Sequence, residues 1–125
     1  MQAIRSKNTK PELTVRRLLH KMGYRFRLHA DELPGKPDIV FRKRKKAIFV
    51  HGCFWHSHPD PTCRNSQRPQ RNTAFWDHKL DSTRSRDQAA ADNLHALGWQ
   101  ILILWECELV SESAIAERLS KFLDG

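Results

Sequence analysis

The chain has 125 residues and a formal net charge of +8, with 22 Lys/Arg against 14 Asp/Glu. That length suits one compact domain with an ordinary core, and no stretch approaches the roughly 20 apolar residues that span a bilayer. Three cysteines, an odd number, exclude a complete set of internal disulfides; with no apolar run of signal-peptide length in residues 1–7, the chain reads as cytoplasmic.

The charge is polarised. Residues 1–86 hold 20 of the cations and 7 acids, whereas residues 87–125 hold 2 cations and 7 acids. A basic face of this kind suits a polyanion, nucleic acid first among them, although a solvated basic surface has the same composition.

In chain order, Thr9-Lys10-Pro11-Glu12 opens a helix. Thr9 is its cap, Pro11 sits in the first turn, Glu12 completes a capping box, and Gly23 ends it. Leu13, Leu18, Leu19 and Met22 form the expected apolar face. Tyr24–His29 alternates at period two and predicts a half-buried strand. After the turn at Leu33-Pro34-Gly35-Lys36-Pro37, Asp38–Phe41 and Ala47–Val50 read as two strands. The five cations 42–46 join them as a connection that resists burial; they either contact phosphates or form a solvated turn. Residues 59–72 read as an irregular loop, and residues 74–97 as a long helix closed by Gly98. Leu80, Ala90, Ala91, Leu94 and Leu97 mark its inward stripe. Ile101–Trp105 is nearly all apolar, as expected for the middle of a covered sheet. A last amphipathic helix uses Ile115, Leu119 and Phe122. The order α-β-β-β-α-β-α predicts an α/β single domain over 1–125, a mixed sheet of about four strands flanked by helices.

Polar residues where burial is expected carry the chemistry. Asp38 begins an apolar strand, as a turn residue or a metal ligand. Asp87 lies seven residues from both Leu80 and Leu94 and shares their face, so it is either a surface drift of the stripe or a carboxylate that needs a partner. Glu12 has a capping role available and a catalytic one.

The segment His51-Gly52-Cys53-Phe54-Trp55-His56-Ser57-His58 is denser still. Imidazole is the side chain suited to moving protons near neutral pH. Cys53, His58 and Cys63 are spaced Cys-x4-His-x4-Cys, and with Cys107 they make a donor set for structural Zn²⁺; buried free thiols are the alternative. His51 and His56, left over, join Asp38 and Asp87 as a set suited to phosphodiester hydrolysis with a divalent cation, Mg²⁺. Phe54 and Trp55 can project from a loop to unstack bases, with Trp76 either joining them or anchoring the core.

Pro34-Gly35-Lys36-Pro37-Asp38-Ile39-Val40, Ile48–His58 and Trp99–Cys107, together with the opening Ile4–Leu13, resemble the very short patch repair (Vsr) DNA mismatch endonucleases. The resemblance spans nearly the whole chain in the right order, and the HGCFWH run is its most specific part. It implies a restriction-endonuclease-like fold related to PD-(D/E)XK nucleases. It also implies nicking of one strand of double-stranded DNA beside a T·G mismatch. Asp38 and the backbone carbonyl of Val50 would ligate Mg²⁺. His56 would be the general base, while His51, Asp87 and Glu12 hold metal-bound waters and phosphate. Phe54, Trp55 and Trp76 would form the intercalating wedge, and Cys53, His58, Cys63 and Cys107 would hold Zn²⁺. Valine stands at position 50 where threonine can occur, a change a carbonyl ligand tolerates, and the stretch 59–62 is longer than in the family. The expected enzyme is a nucleoid-associated monomer whose candidate partners are mismatch-repair proteins. Two alternatives remain: a nuclease of this fold without mismatch specificity, serving restriction or phage defence, and a non-catalytic zinc-stabilised DNA-binding module.

Overall fold

The computed structural model describes residues 9–124; the family-like residues 4–8 lie outside them. Helix α1 (Lys10–Lys21) starts where expected, with Thr9 as its cap accepting from Glu12 N at 3.4 Å. The capping box is only half made, because the Glu12 side chain turns inward to His29 and Arg16 and is 1% exposed. The helix closes at Gly23, whose φ of +88° suits a residue without a Cβ. Its buried face is Val15, Leu18 and Leu19. Leu13, expected inside, is exposed, because the inward stripe runs through Glu12 and Val15 instead.

The predicted strand 24–29 pairs only at β1 (Arg27–Leu28). Its partner β2 (Ile39–Phe41) is itself short, with Leu28 opposite Ile39 and Arg27 opposite Val40. Tyr24 and Phe26 instead pack edge-on to Phe41, and His29 ends the strand with a left-handed φ of +49°. Strand β3 (Lys46–His51) is antiparallel to β2, followed by α2 (Thr73–Ala96), and β4 (Gln100–Trp105) is parallel to β3. The crossover through α2 is what a parallel neighbour requires. Helix α3 (Glu112–Asp124) closes the chain.

The sheet order is β1-β2-β3-β4, which corrects one expectation: the apolar strand 101–105 is an edge strand, not a central one. Its side chains are apolar because both faces are used. Leu102 and Leu104 pack with Val15, Leu19, Ile48, Ile115 and Leu119 on the α1/α3 side. Ile101 and Ile103 pack on the opposite side with Ala47, Phe49, Leu94 and Trp99. Strand β2 is fully buried, and β3 is buried at every residue but Val50. On α2, Leu80, Ala90 and Leu94 are buried as expected, whereas Leu97 is exposed at the last turn.

The cation run 42–46 also departs from expectation. Residues 42–45 form an exposed turn, but Lys46 is 8% exposed. Its ammonium donates to the last carbonyls of α3, Phe122 O at 2.5 Å and Leu123 O at 3.2 Å. Arg44 donates to Leu123 O at 2.8 Å, and Lys45 donates to Leu97 O at the end of α2 at 3.2 Å. Cations at helix C-termini satisfy orphan carbonyls and complement the helix dipole. The run is therefore a double helix cap: burial is possible for Lys46 because carbonyl oxygens replace its water.

Candidate active site and metal centre

Strand β3 delivers the chain to residue 51, where it leaves the sheet and winds into a tight coil. His56 N donates to Gly52 O at 3.1 Å, His58 N donates to Cys53 O at 3.0 Å, and Ser57 takes a φ of +52°. Winding of this kind sets residues five apart on one side. His51 and His56 face one way, Cys53 and His58 the other.

On the first side, the His51 and His56 rings stack with centroids 3.8 Å apart and planes 5° from parallel. His56 Nδ1 lies 2.6 Å from Asp87 Oδ2, so the carboxylate on α2 has the partner its half-buried position requires. His51 is buried, and its Nδ1 makes no hydrogen bond among the described residues. Burial, then the neighbouring His56, pull the His51 pKa down to about 4, keeping that ring neutral. These groups line a cavity of about 760 Å³ between the sheet and α2, and Asp38, Val50 and His29 line it too. Asp38 Oδ2 accepts from Val50 N at 2.8 Å, which ties the carboxylate to β3. Burial raises the Asp38 pKa to about 6, partly offset by that bond, with Glu12 adding to the rise. A carboxylate this poorly solvated favours a cation beside it.

Glu12, His29 and Asp38 come together, with His29 Nε2 2.8 Å from Glu12 Oε2. One ligand atom from each of Glu12, His29 and Asp38 lies within 4.8 Å of the others, and the same holds for His51, His56 and Asp87. Hard oxygen donors and space for water suit Mg²⁺, which keeps several waters and takes one or two carboxylates.

On the second side, the ligand atoms of Cys53, His58, Cys63 and Cys107 converge to within 4.8 Å of one another, with Cys107 Sγ 3.4 Å from His58 Nδ1. The three cysteines are free rather than bridged. Burial pushes the Cys53 thiol up to about 12; at Cys63, burial is outweighed by hydrogen bonds to His58 and Cys53, which hold it at about 7. Three thiols and an imidazole gathered around one point fit a closed tetrahedral site for a soft dication such as zinc. His58 also stacks on Trp105 at 4.3 Å, and Glu106 Oε1 accepts from Cys53 N at 3.0 Å, so the end of β4 braces the coil.

Phe54, Trp55 and Trp76 form one aromatic group. Phe54 lies 5.1 Å from Trp55 and 5.4 Å from Trp76, and Trp55 lies 5.9 Å from Trp76. Phe75, 60% exposed, packs on Trp76 at 5.2 Å and extends the group outward. Arg68 pins the loop to α2 by donating to Asp77 at 2.9 Å, Asp81 at 2.7 Å and Ser57 at 3.3 Å.

Every residue singled out from the sequence thus falls into the cavity, the thiol cluster or the aromatic group, except Glu12, which reaches the cavity only through His29. Sequence reasoning missed His29, Glu106 and Phe75. His29 sits 17 residues from Glu12, with no motif spacing to connect them. Glu106 and Phe75 carried only the weak signal of adjacency to Cys107 and Trp76.

A family model described as DNA mismatch endonuclease Vsr matches residues 1–62. The chain is 50% identical over 124 residues to the type II nicking enzyme V.XorIIP of Xanthomonas oryzae pv. oryzae, covering 99% of this chain and 89% of that protein. It is 39% identical to the type II nicking enzyme V.NmeAIP of Neisseria meningitidis serogroup A, over 98% of this chain and 86% of that protein. Against the DNA mismatch endonuclease Vsr of Escherichia coli the identity is 37%, covering all of this chain and 81% of that protein. With these similarities running through the cavity, the thiol cluster and the sheet that carries them, the chain belongs to the Vsr family of restriction-endonuclease-like DNA endonucleases.

Proposed function

We propose that the protein nicks one strand of duplex DNA beside a T·G mismatch, as the first step of very short patch repair. In this reading the 125 residues act as one cytoplasmic monomer whose product passes to mismatch-repair proteins. The observation that carries it is the His56–Asp87 pair, 2.6 Å apart, in the same cavity as the buried Asp38.

Asp38 and the Val50 carbonyl would hold Mg²⁺, and Cys53, His58, Cys63 and Cys107 would hold Zn²⁺. When bound, magnesium neutralises phosphate charge and acidifies its water. Asp87 fixes the proton of His56 on Nδ1, which leaves Nε2 to take a proton from the attacking water. The imidazolium so formed is stabilised by Asp87 beside it. His51, kept neutral by burial, stacks on His56 and limits its rotation without adding a competing charge. Glu12 holds its place behind the cavity through His29 and Arg16. The thiol cluster fixes the coil that carries His56, Phe54 and Trp55, so the base and the aromatic wedge keep one spacing. Phe54, Trp55 and Trp76 would enter the stack beside the mispair, where unstacking costs least.

The test is strand nicking of end-labelled duplexes, T·G against T·A, with Mg²⁺, for the wild type and Asp38→Ala. Nicking confined to the T·G duplex and lost in Asp38→Ala is expected. Activity that survives Asp38→Ala overturns the metal assignment. Equal cutting of both duplexes favours a second reading, a nuclease of this fold without mismatch specificity. The specific support for that reading is the 50% identity to a protein named as a type II nicking enzyme. Tight DNA binding with no cutting leaves the non-catalytic module.

A further inference from the structure

Two carboxylate–histidine pairs stand among the described residues, and the hydrolytic role above uses only one of them. Asp87 holds His56 at 2.6 Å, and Glu12 holds His29 at 2.8 Å through Oε2 and Nε2. The two pairs lie on different elements: His56 in the coil after β3 with Asp87 on α2, His29 after β1 with Glu12 on α1. Both histidines line the same cavity as Asp38. Glu12 itself does not line the cavity; it is 1% exposed and sits behind the His29 ring.

His29 is also held from the backbone. Its N–H donates to Asp38 O at 2.9 Å, which ties the residue to the one that follows Pro37 in the metal-binding stretch. Its left-handed φ of +49° is unfavourable for a residue with a Cβ and persists only where surroundings impose it. The side chain is 17% exposed. With Nε2 committed to Glu12, Nδ1 is the ring nitrogen without a hydrogen bond among the described residues.

Resting on the proposed magnesium site at Asp38, we infer that His29 is a further positioning residue. Its ring, anchored by Glu12, offers Nδ1 to the water shell of the cation. Glu12 then acts on the site through His29 rather than by touching water or phosphate itself. The warrant is the usual arrangement at metal centres, where an outer carboxylate fixes the ring and proton of a histidine, and loss of such a partner costs about 10–100-fold in affinity or activity.

The experiment uses His29→Asn, His29→Gln, Glu12→Gln and the double variant His29→Asn/Glu12→Gln. Asparagine tolerates the left-handed backbone but is too short to reach Glu12; glutamine is long enough to restore an amide contact. Mn²⁺ binding to the DNA-free protein, read by electron paramagnetic resonance, gives a measure independent of turnover. Single-turnover nicking gives the second readout. His29→Asn is expected to weaken Mn²⁺ binding and slow nicking, each by about 10-fold or more, with KM for DNA within about twofold. His29→Gln is expected to recover most of the loss. Glu12→Gln is expected to reproduce the His29→Asn loss and to add less than about twofold in the double variant, because residues acting as one unit are not additive.

The inference is overturned if folded His29→Asn binds Mn²⁺ and nicks within twofold of the wild type, or if the two losses multiply in the double variant. A fall in Tm alone, with Mn²⁺ affinity intact, also overturns it by reducing His29 to a structural ion pair. Asp38→Ala separates this outcome from failure of the underlying site. If Asp38→Ala keeps both Mn²⁺ binding and nicking, the magnesium site is wrong; if it loses both while His29→Asn keeps them, only the role of His29 falls.

Discussion

The two ligating clusters that meet on residues 51–63 share a stretch of chain and little else. The Cys53–His58–Cys63–Cys107 set is soft, thiol-rich and convergent on one point, with two of its cysteines buried. The His51–His56–Asp87 and Glu12–His29–Asp38 sets combine imidazole with carboxylate, and all their members but Glu12 line a cavity of about 760 Å³. Donor chemistry and enclosure differ together: the first cluster suits a closed structural ion, the second a hydrated one that must admit substrate. Neighbouring residues can serve such unlike sites because the coil sets His51 and His56 on one side and Cys53 and His58 on the other.

The sharpest way to break that contrast is to disable one cluster and watch the other. Asp38→Ala is expected to lower nicking by at least about a thousandfold, several kcal/mol of transition-state stabilisation. Its zinc content, by elemental analysis, should equal that of the wild type, and its Tm should not fall, because a poorly solvated carboxylate has been removed. Zinc lost along with activity would show that the clusters are not separable. Cys63→Ser is the converse. Zinc bound per chain should fall, and Tm should drop by about 10 °C or more, because binding energy at such sites is folding energy. Nicking then disappears through loss of the fold; a variant with wild-type Tm and no zinc would remove the structural role.

Smaller effects sharpen the division further. Trp55→Ala should cost about 1–3 kcal/mol of the preference for a T·G over a matched duplex, the scale of one base–aromatic stack. Zinc content should stay unchanged, and a preserved preference would leave the wedge without support. Lys46→Met should destabilise the protein by about 1–2 kcal/mol in urea unfolding, through lost bonds to the end of α3, with nicking retained. Lys43→Gln, in the exposed turn beside it, should shift stability by no more than about 0.5 kcal/mol and leave the salt dependence of DNA binding unchanged. A large change there would return residues 42–46 to the DNA interface.

Much of this architecture is legible in the order of residues. Local signals place α1, β2, β3 and α2 within a residue or two and reveal that a last helix follows β4, because caps, glycine stops and apolar periodicity act over one turn or one strand. The thiol set is legible as well, since cysteines are few and their ligand chemistry is narrow. Less is legible where a residue's meaning lies in a distant partner. β4 looks like a central strand because both its faces are apolar, and only pairing on one side makes it an edge. Lys46 looks unburiable until the end of α3, 76 residues on, supplies carbonyl oxygens.

By itself, then, the sequence determined the element order, the division of donors into soft and hard, and the density of chemistry at 51–58, all of which follow from residue type and short spacing. Only the tertiary structure decided that Asp87 reaches His56, that Glu12 faces inward to His29 instead of capping its helix, and that Arg44, Lys45 and Lys46 bond to the ends of two helices. Those outcomes depend on partners 17 to 79 residues away. No local propensity encodes them; they arise when packing of the sheet and helices excludes water and each buried polar group must find its bond within the protein.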